Sequence, residues 1–210
     1  RLWNLHAKNK GSGQIIAHEI ILLLAMAKGL KDPVLFERIV KEEGSRNEDH
    51  NNGRIGEMWF ECGNYDKAIF YLEKVNKSSG QYWQVDDLLL KAYAQVGDVE
   101  KQKKIAWQIF RSSRTKENFE KALQAEAPAK HQELLEQEIH GIIQEKKLES
   151  QSVDFLLEMG LPNQAEEYIL QRKNELDGNN YGSLSDWVEV FEQQNKLLIS
   201  SLIYRALLDS

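Results

Sequence analysis

The chain has 210 residues, 41% of them hydrophobic and 29% charged, enough for one large helical domain or two small ones. Thirty-three acidic against 27 basic residues leave a formal charge of −6, which argues against a general nucleic-acid binder held by phosphate contacts. A single cysteine, Cys62, excludes an internal disulfide framework and a zinc site built on several thiolates of this chain.

Helix punctuation recurs from the first residues onward. Lys10-Gly11-Ser12-Gly13 reads as a flexible lead-in, since a phosphate loop would need Walker spacing and a preceding strand. The run Gln14 to Lys28 is apolar enough for a buried helix and too short and interrupted to span a bilayer. Gly29 stands where a left-handed residue would close it. Asp32-Pro33 then supplies a capping carboxylate and a first-turn proline for a helix with Val34, Leu35, Phe36, Ile39 and Val40 on one face. Residues 45–52 contain no apolar side chain and read as an exposed loop. Thr115 can cap a helix carrying Phe119 and Ala122, and Pro128 can start one bearing Leu134, Leu135, Ile139 and Ile142. Ser183 with Asp186 forms a capping-box pattern ahead of Trp187, Val188 and Phe191, and an apolar helix follows to Leu208. No stretch alternates as a strand would, so the expected class is all-α. Arg1 at the start and the uncapped apolar run at the end give the chain the look of a fragment of a longer protein.

One pattern repeats. Gly63 and Gly97 lie 34 residues apart, each between two helical runs, with Trp59 and Tyr93 four residues before them. Gly160 opens a third such junction. A 34-residue helix–turn–helix period is the tetratricopeptide signature, and the first unit resembles that family closely. Gly56 matches the position of close helix approach, Trp59 the large residue between the helices, Gly63 the turn and Ala68 the small residue of the second helix. Tyr93 and Gly97 keep the pattern in the second unit, Gly160 and Ala165 in the third, while Gln102 replaces the second unit's small residue. The resemblance implies a right-handed α-solenoid of antiparallel helix pairs over 51–210, preceded by N-terminal helices in 1–44. A second stretch, Ala106–Phe110 with Phe119–Leu123 and the C-terminal apolar helix, is similar to helical regions of uncharacterised bacterial proteins, some of which accompany a SWIM-type zinc finger.

In the tetratricopeptide pattern, exposed positions of each first helix line a concave groove. Carried over, these are Glu57, Phe60 and Glu61, then Asp87, Lys91, Ala94 and Gln95, then Asp154, Leu157 and Glu158. Five acids against one lysine imply a basic or amphipathic peptide as ligand. The lysine–asparagine clamp by which chaperone-binding members hold a C-terminal carboxylate is absent from these positions. The alternative reading is an accessory region of a nucleic-acid-associated protein that uses the basic cluster Lys101, Lys103, Lys104, Arg111, Arg114 and Lys116. Trp107 and Phe110 sit at core spacing within it and are expected to be buried rather than to stack on bases. His131, Glu133, Glu136, Glu138 and His140 crowd one helix without a HExxH or ExxH spacing and read as a solvated charged face. No nucleophile is paired with a base, and Cys62 has no neighbouring histidine, so neither enzyme activity nor a cofactor is expected. The expected setting is cytoplasmic, with no membrane attachment and a protein partner.

Overall fold

A computed structural model describes residues 13–43, 47–76 and 83–209, with side chains described from residue 18 onward and, after the second gap, from residue 84. The described residues form twelve α-helices, two short 3-10 turns and no strand. The phosphate-loop question at Lys10–Ser12 therefore lies outside the described residues.

The helices fall into two compact units, one reaching Ile105 and the other starting at Ala106. The first unit contains α1 (Gly13–Gly29), α2 (Pro33–Glu42), α3 (Glu48–Glu61), α4 (Tyr65–Leu72) and α5 (Trp83–Val96). Helix α6 (Val99–Ser112) carries the chain across the boundary. The second unit continues with α7 (Lys116–Gln124), α8 (His131–Ile143), α9 (Ser150–Glu158), α10 (Pro162–Gln171), α11 (Tyr181–Gln193) and α12 (Leu197–Leu208). Sequential helices pack on one another from α1 to α5, and α3 also reaches α5. In the second unit α9 packs on α10 and α11 on α12, while α8 and α12 touch α10 and α9 touches α11.

One backbone motif recurs between consecutive helices. In five places among the described residues a helix ends on a residue with positive φ: Lys31 (51°), Gly63 (76°), Gly97 (75°), Gly160 (72°) and Asn195 (57°). The next N–H bonds back to the carbonyl five residues earlier in every case, from Asp32 to Ala27, Asn64 to Trp59, Asp98 to Tyr93, Leu161 to Leu156 and Lys196 to Phe191, at 2.9–3.0 Å. That bond is the Schellman closure, which satisfies a helix's orphan carbonyl and reverses the chain. Each of the five acceptor residues is buried, so the reversal is anchored in the core. The next helix starts at once, because Asp32, Asn64 and Asp98 accept the N–H bonds of Leu35, Lys67 and Lys101.

Several sequence expectations change. Gly29 is helical, and Lys31 two residues on takes the left-handed position. The polar stretch read as a loop is in part helix: Asn47 caps α3, which begins at Glu48, and Asp49 accepts the Asn76 N–H at 2.9 Å. Composition misleads there because a capped first turn needs no apolar residue. Helix α11 begins at Tyr181, so Ser183 lies inside it and forms no cap. Among its described side chains, helix α1 buries one face: Ile20, Leu23 and Leu24 are covered, while Ile21 and Leu22 are 63% and 65% exposed. The caps at Thr115 and Asp32 and the first-turn prolines at Pro33 and Pro162 stand as read, whereas Pro128 opens a short 3-10 turn (Pro128–Lys130) and α8 itself begins at His131. No helix among the described residues is long and apolar enough to cross a membrane.

Candidate functional site

The first helix pair shows why its residues are what they are. A Cβ on Gly56 would lie 2.6 Å from Leu72 Cγ, so only glycine lets α3 and α4 approach this closely. Ala68 and Leu72 are fully buried at that junction. Trp59 does more than fill the gap between the pair. Its indole N–H donates to Glu37 Oε2 on α2 at 2.9 Å, and the Lys67 ammonium lies 4.0 Å from the centre of its ring. Glu37 also accepts from Tyr71 (2.6 Å) and Lys41 (2.6 Å), tying α2, α3 and α4 through one carboxylate. Burial pushes the Glu37 carboxyl up, but these hydrogen bonds outweigh it and hold it below its ordinary value. The second pair repeats the device, with Tyr93 and Lys101 both donating to Glu73.

In the second unit an open groove of about 650 Å³ lies between α9, α11 and the turn joining α6 to α7. Asp154, Leu157 and Glu158, the three positions carried over for the third unit, all line it, together with Asp186, Trp187 and Val190. Trp187 is 2% exposed and donates its indole N–H to Asp154 Oδ1 at 2.6 Å. Burial drives the Asp154 carboxyl above its ordinary value; the Trp187 bond opposes this, and the charges of Glu158 and Asp186 add to it. Glu158 accepts the Lys116 main-chain N–H at 2.8 Å.

Arg114 lines the same groove with its charge already committed. Its Nη1 pairs with Glu145 at 2.6 Å and also donates to Ser152 Oγ, while its Nε is buried without a hydrogen-bond partner. Glu145 in turn accepts from Ser152 (2.8 Å) and Tyr168 (2.7 Å). Burial raises the Glu145 carboxyl, yet the bonds from Tyr168, Ser152 and Arg114 bring it below its ordinary value. Arg172, itself buried, stacks 4.1 Å from the Tyr168 ring and donates to the carbonyls of Ile143 and Tyr168. Sequence reasoning missed Glu145, Ser152 and Arg172, because the contacts of Arg114 with Glu145 and Ser152 and of Arg172 with Ile143 span 29–38 residues and leave no local spacing signal.

The other carried-over positions occupy two helices of the first unit. Glu57 and Phe60 are half-buried and Glu61 exposed on α3; on α5 Asp87 is half-buried and Lys91, Ala94 and Gln95 are exposed. Phe60 packs edge-on against Tyr65, with ring centres 5.4 Å apart. The basic cluster is divided, with Lys101, Lys103 and Lys104 in the first unit and Arg111, Arg114 and Lys116 in the second. Lys101 pairs with Glu73 at 3.0 Å, and the Arg111 guanidinium lies 6.0 Å from the Trp107 ring. Phe110 is fully buried and forms an aromatic core with Phe119 and Phe155, ring centres 5.1–5.4 Å apart, as its spacing suggested. Trp107 packs edge-on against Phe119, only partly buried.

Cys62 reaches the Lys31 carbonyl at 3.6 Å, and burial pushes its thiol above the ordinary value. That environment suppresses the thiolate a nucleophile needs. His131 approaches the Glu126 carbonyl at 3.3 Å, and no group of three His, Cys, Asp or Glu among the described residues is arranged to hold a metal ion.

These observations define a class: an all-helical protein of twelve described helices packed largely in sequential pairs. No protein-family model and no curated protein matches the chain.

Proposed function

We propose that the chain is a cytoplasmic, non-catalytic interaction module, a right-handed solenoid similar to tetratricopeptide repeats, whose first helices offer an acidic concave surface to a basic or amphipathic peptide. The observation that carries this reading is the α9–α11 groove, where acids and apolar residues from two successive first helices share one surface. The recurring Schellman turn supports the repeat, since it reverses the chain between consecutive helices at Lys31, Gly63, Gly97, Gly160 and Asn195. Contacts between helices two apart, α3 with α5 and α9 with α11, are those by which a solenoid stacks pair on pair.

Binding of labelled peptides to the full chain tests the proposal. A short peptide alternating lysine and leucine is expected to bind, and to weaken as salt screens the acidic surface. Its glutamate–leucine counterpart is expected not to bind. Equal binding of the two peptides, or none by the lysine peptide even at low salt, overturns the reading.

A further inference from the structure

The groove between α9 and α11 combines two surfaces. One is apolar: Leu157 and Val190 are half-buried in its lining, and Trp187 closes its floor. The other is acidic, formed by Asp154, Glu158 and Asp186. Arg114, the cation of the lining, is paired with Glu145 at 2.6 Å and is held away from the role of neutralising these three acids. Resting on the reading above, that this face binds a partner, we propose that the groove seats an amphipathic basic peptide. One lysine or arginine of that peptide lays its aliphatic stem along Leu157 and Val190 and sets its head among Asp154, Glu158 and Asp186.

Charge and shape together select this occupant. An anionic ligand meets three carboxylates, and a wholly apolar segment would desolvate them without compensation. A compact cation gains nothing from Leu157 and Val190. A long side chain with an apolar stem and a charged head uses both surfaces at once. The volume of about 650 Å³ is on the scale of sites for drug-sized ligands, more than one side chain fills, so neighbouring peptide residues fit beside it.

The test uses the full chain with two labelled peptides of equal charge, one alternating lysine with leucine and one alternating lysine with serine. Glu158→Gln with Asp186→Asn removes two charges while an acceptor for the Lys116 N–H remains. It is expected to weaken the lysine–leucine peptide about tenfold. Val190→Ser is expected to weaken that peptide while leaving the lysine–serine peptide unchanged. A melting curve like the parent's accompanies each variant as the fold control. Unchanged lysine–leucine affinity in the charge variant overturns the proposal. If the affinity is lost instead in Glu57→Gln with Glu61→Gln, the groove is the wrong place while the interaction reading stands. If no basic peptide binds the parent chain, that reading falls and takes this one with it.

Discussion

Single carboxylates hold this protein's helices in register. Glu145 accepts from Arg114, Ser152 and Tyr168, which come from α6–α7, α9 and α10, so one charge joins three parts of the second unit. Its folded value lies below its ordinary one, so its stabilisation is present above the unfolded value and is lost as pH falls through the folded value. Glu145→Gln leaves the Arg114 guanidinium without a charged partner and is expected to cost about 1–3 kcal/mol at neutral pH. The gap between parent and variant melting temperatures should narrow as pH drops below the ordinary carboxylate range. A gap that stays constant with pH would show that the Glu145 charge contributes nothing. Asp154 has the opposite sign, because burial and acidic neighbours raise it. Its ionised form is disfavoured in the folded state relative to its ordinary environment.

At the scale of the element, the five turns separate what sequence could reveal from what it could not. Gly63, Gly97 and Gly160 are legible because glycine is the residue that accepts a positive φ without penalty. Lys31 and Asn195 adopt the same geometry and make the same closure; lysine carries no signal for it, and asparagine a weaker one than glycine. The Asn195 turn pairs α11 with α12, and α11 supplies Ser183, Asp186, Trp187 and Val190 to the groove, positions that the tetratricopeptide resemblance does not carry over. Asp154, Leu157 and Glu158 follow from the tetratricopeptide resemblance, which carries the groove positions of a first helix onto the residues before Gly160. Replacing Lys31 by glycine should stabilise the chain by about 0.5–1 kcal/mol, since a left-handed lysine carries backbone strain that glycine does not. Asn195→Gly should gain less, because asparagine tolerates this conformation better than lysine. Thermal melting of the two variants checks both, and a loss of stability in Lys31→Gly would mean that the lysine side chain matters more than its backbone.

For the whole molecule, stability should be local rather than shared evenly, because helix pairs contact mainly their neighbours. Trp59 is the residue with which to probe this. It is 5% exposed, carries the Schellman acceptor of the first pair, and reaches across to Glu37 on α2. Trp59→Ala opens a cavity at that junction and strands one hydrogen bond, a loss of about 3–5 kcal/mol. Trp59→Phe keeps most of the volume and forfeits chiefly the Glu37 bond, so about 0.5–1.5 kcal/mol is expected. Glu37 retains Tyr71 and Lys41 in either case, which limits the damage at α2. Hydrogen exchange followed along the chain reads where the loss falls. Protection in Trp59→Ala should drop across α3 and α4 and less in α2, while α9 to α12, in the other compact unit, keep theirs. A uniform loss over both units would mean that the chain folds as one cooperative block. Unchanged protection across residues 48–72 would mean that Trp59 does not hold the first pair together, and the repeat built outward from it would lose its foundation.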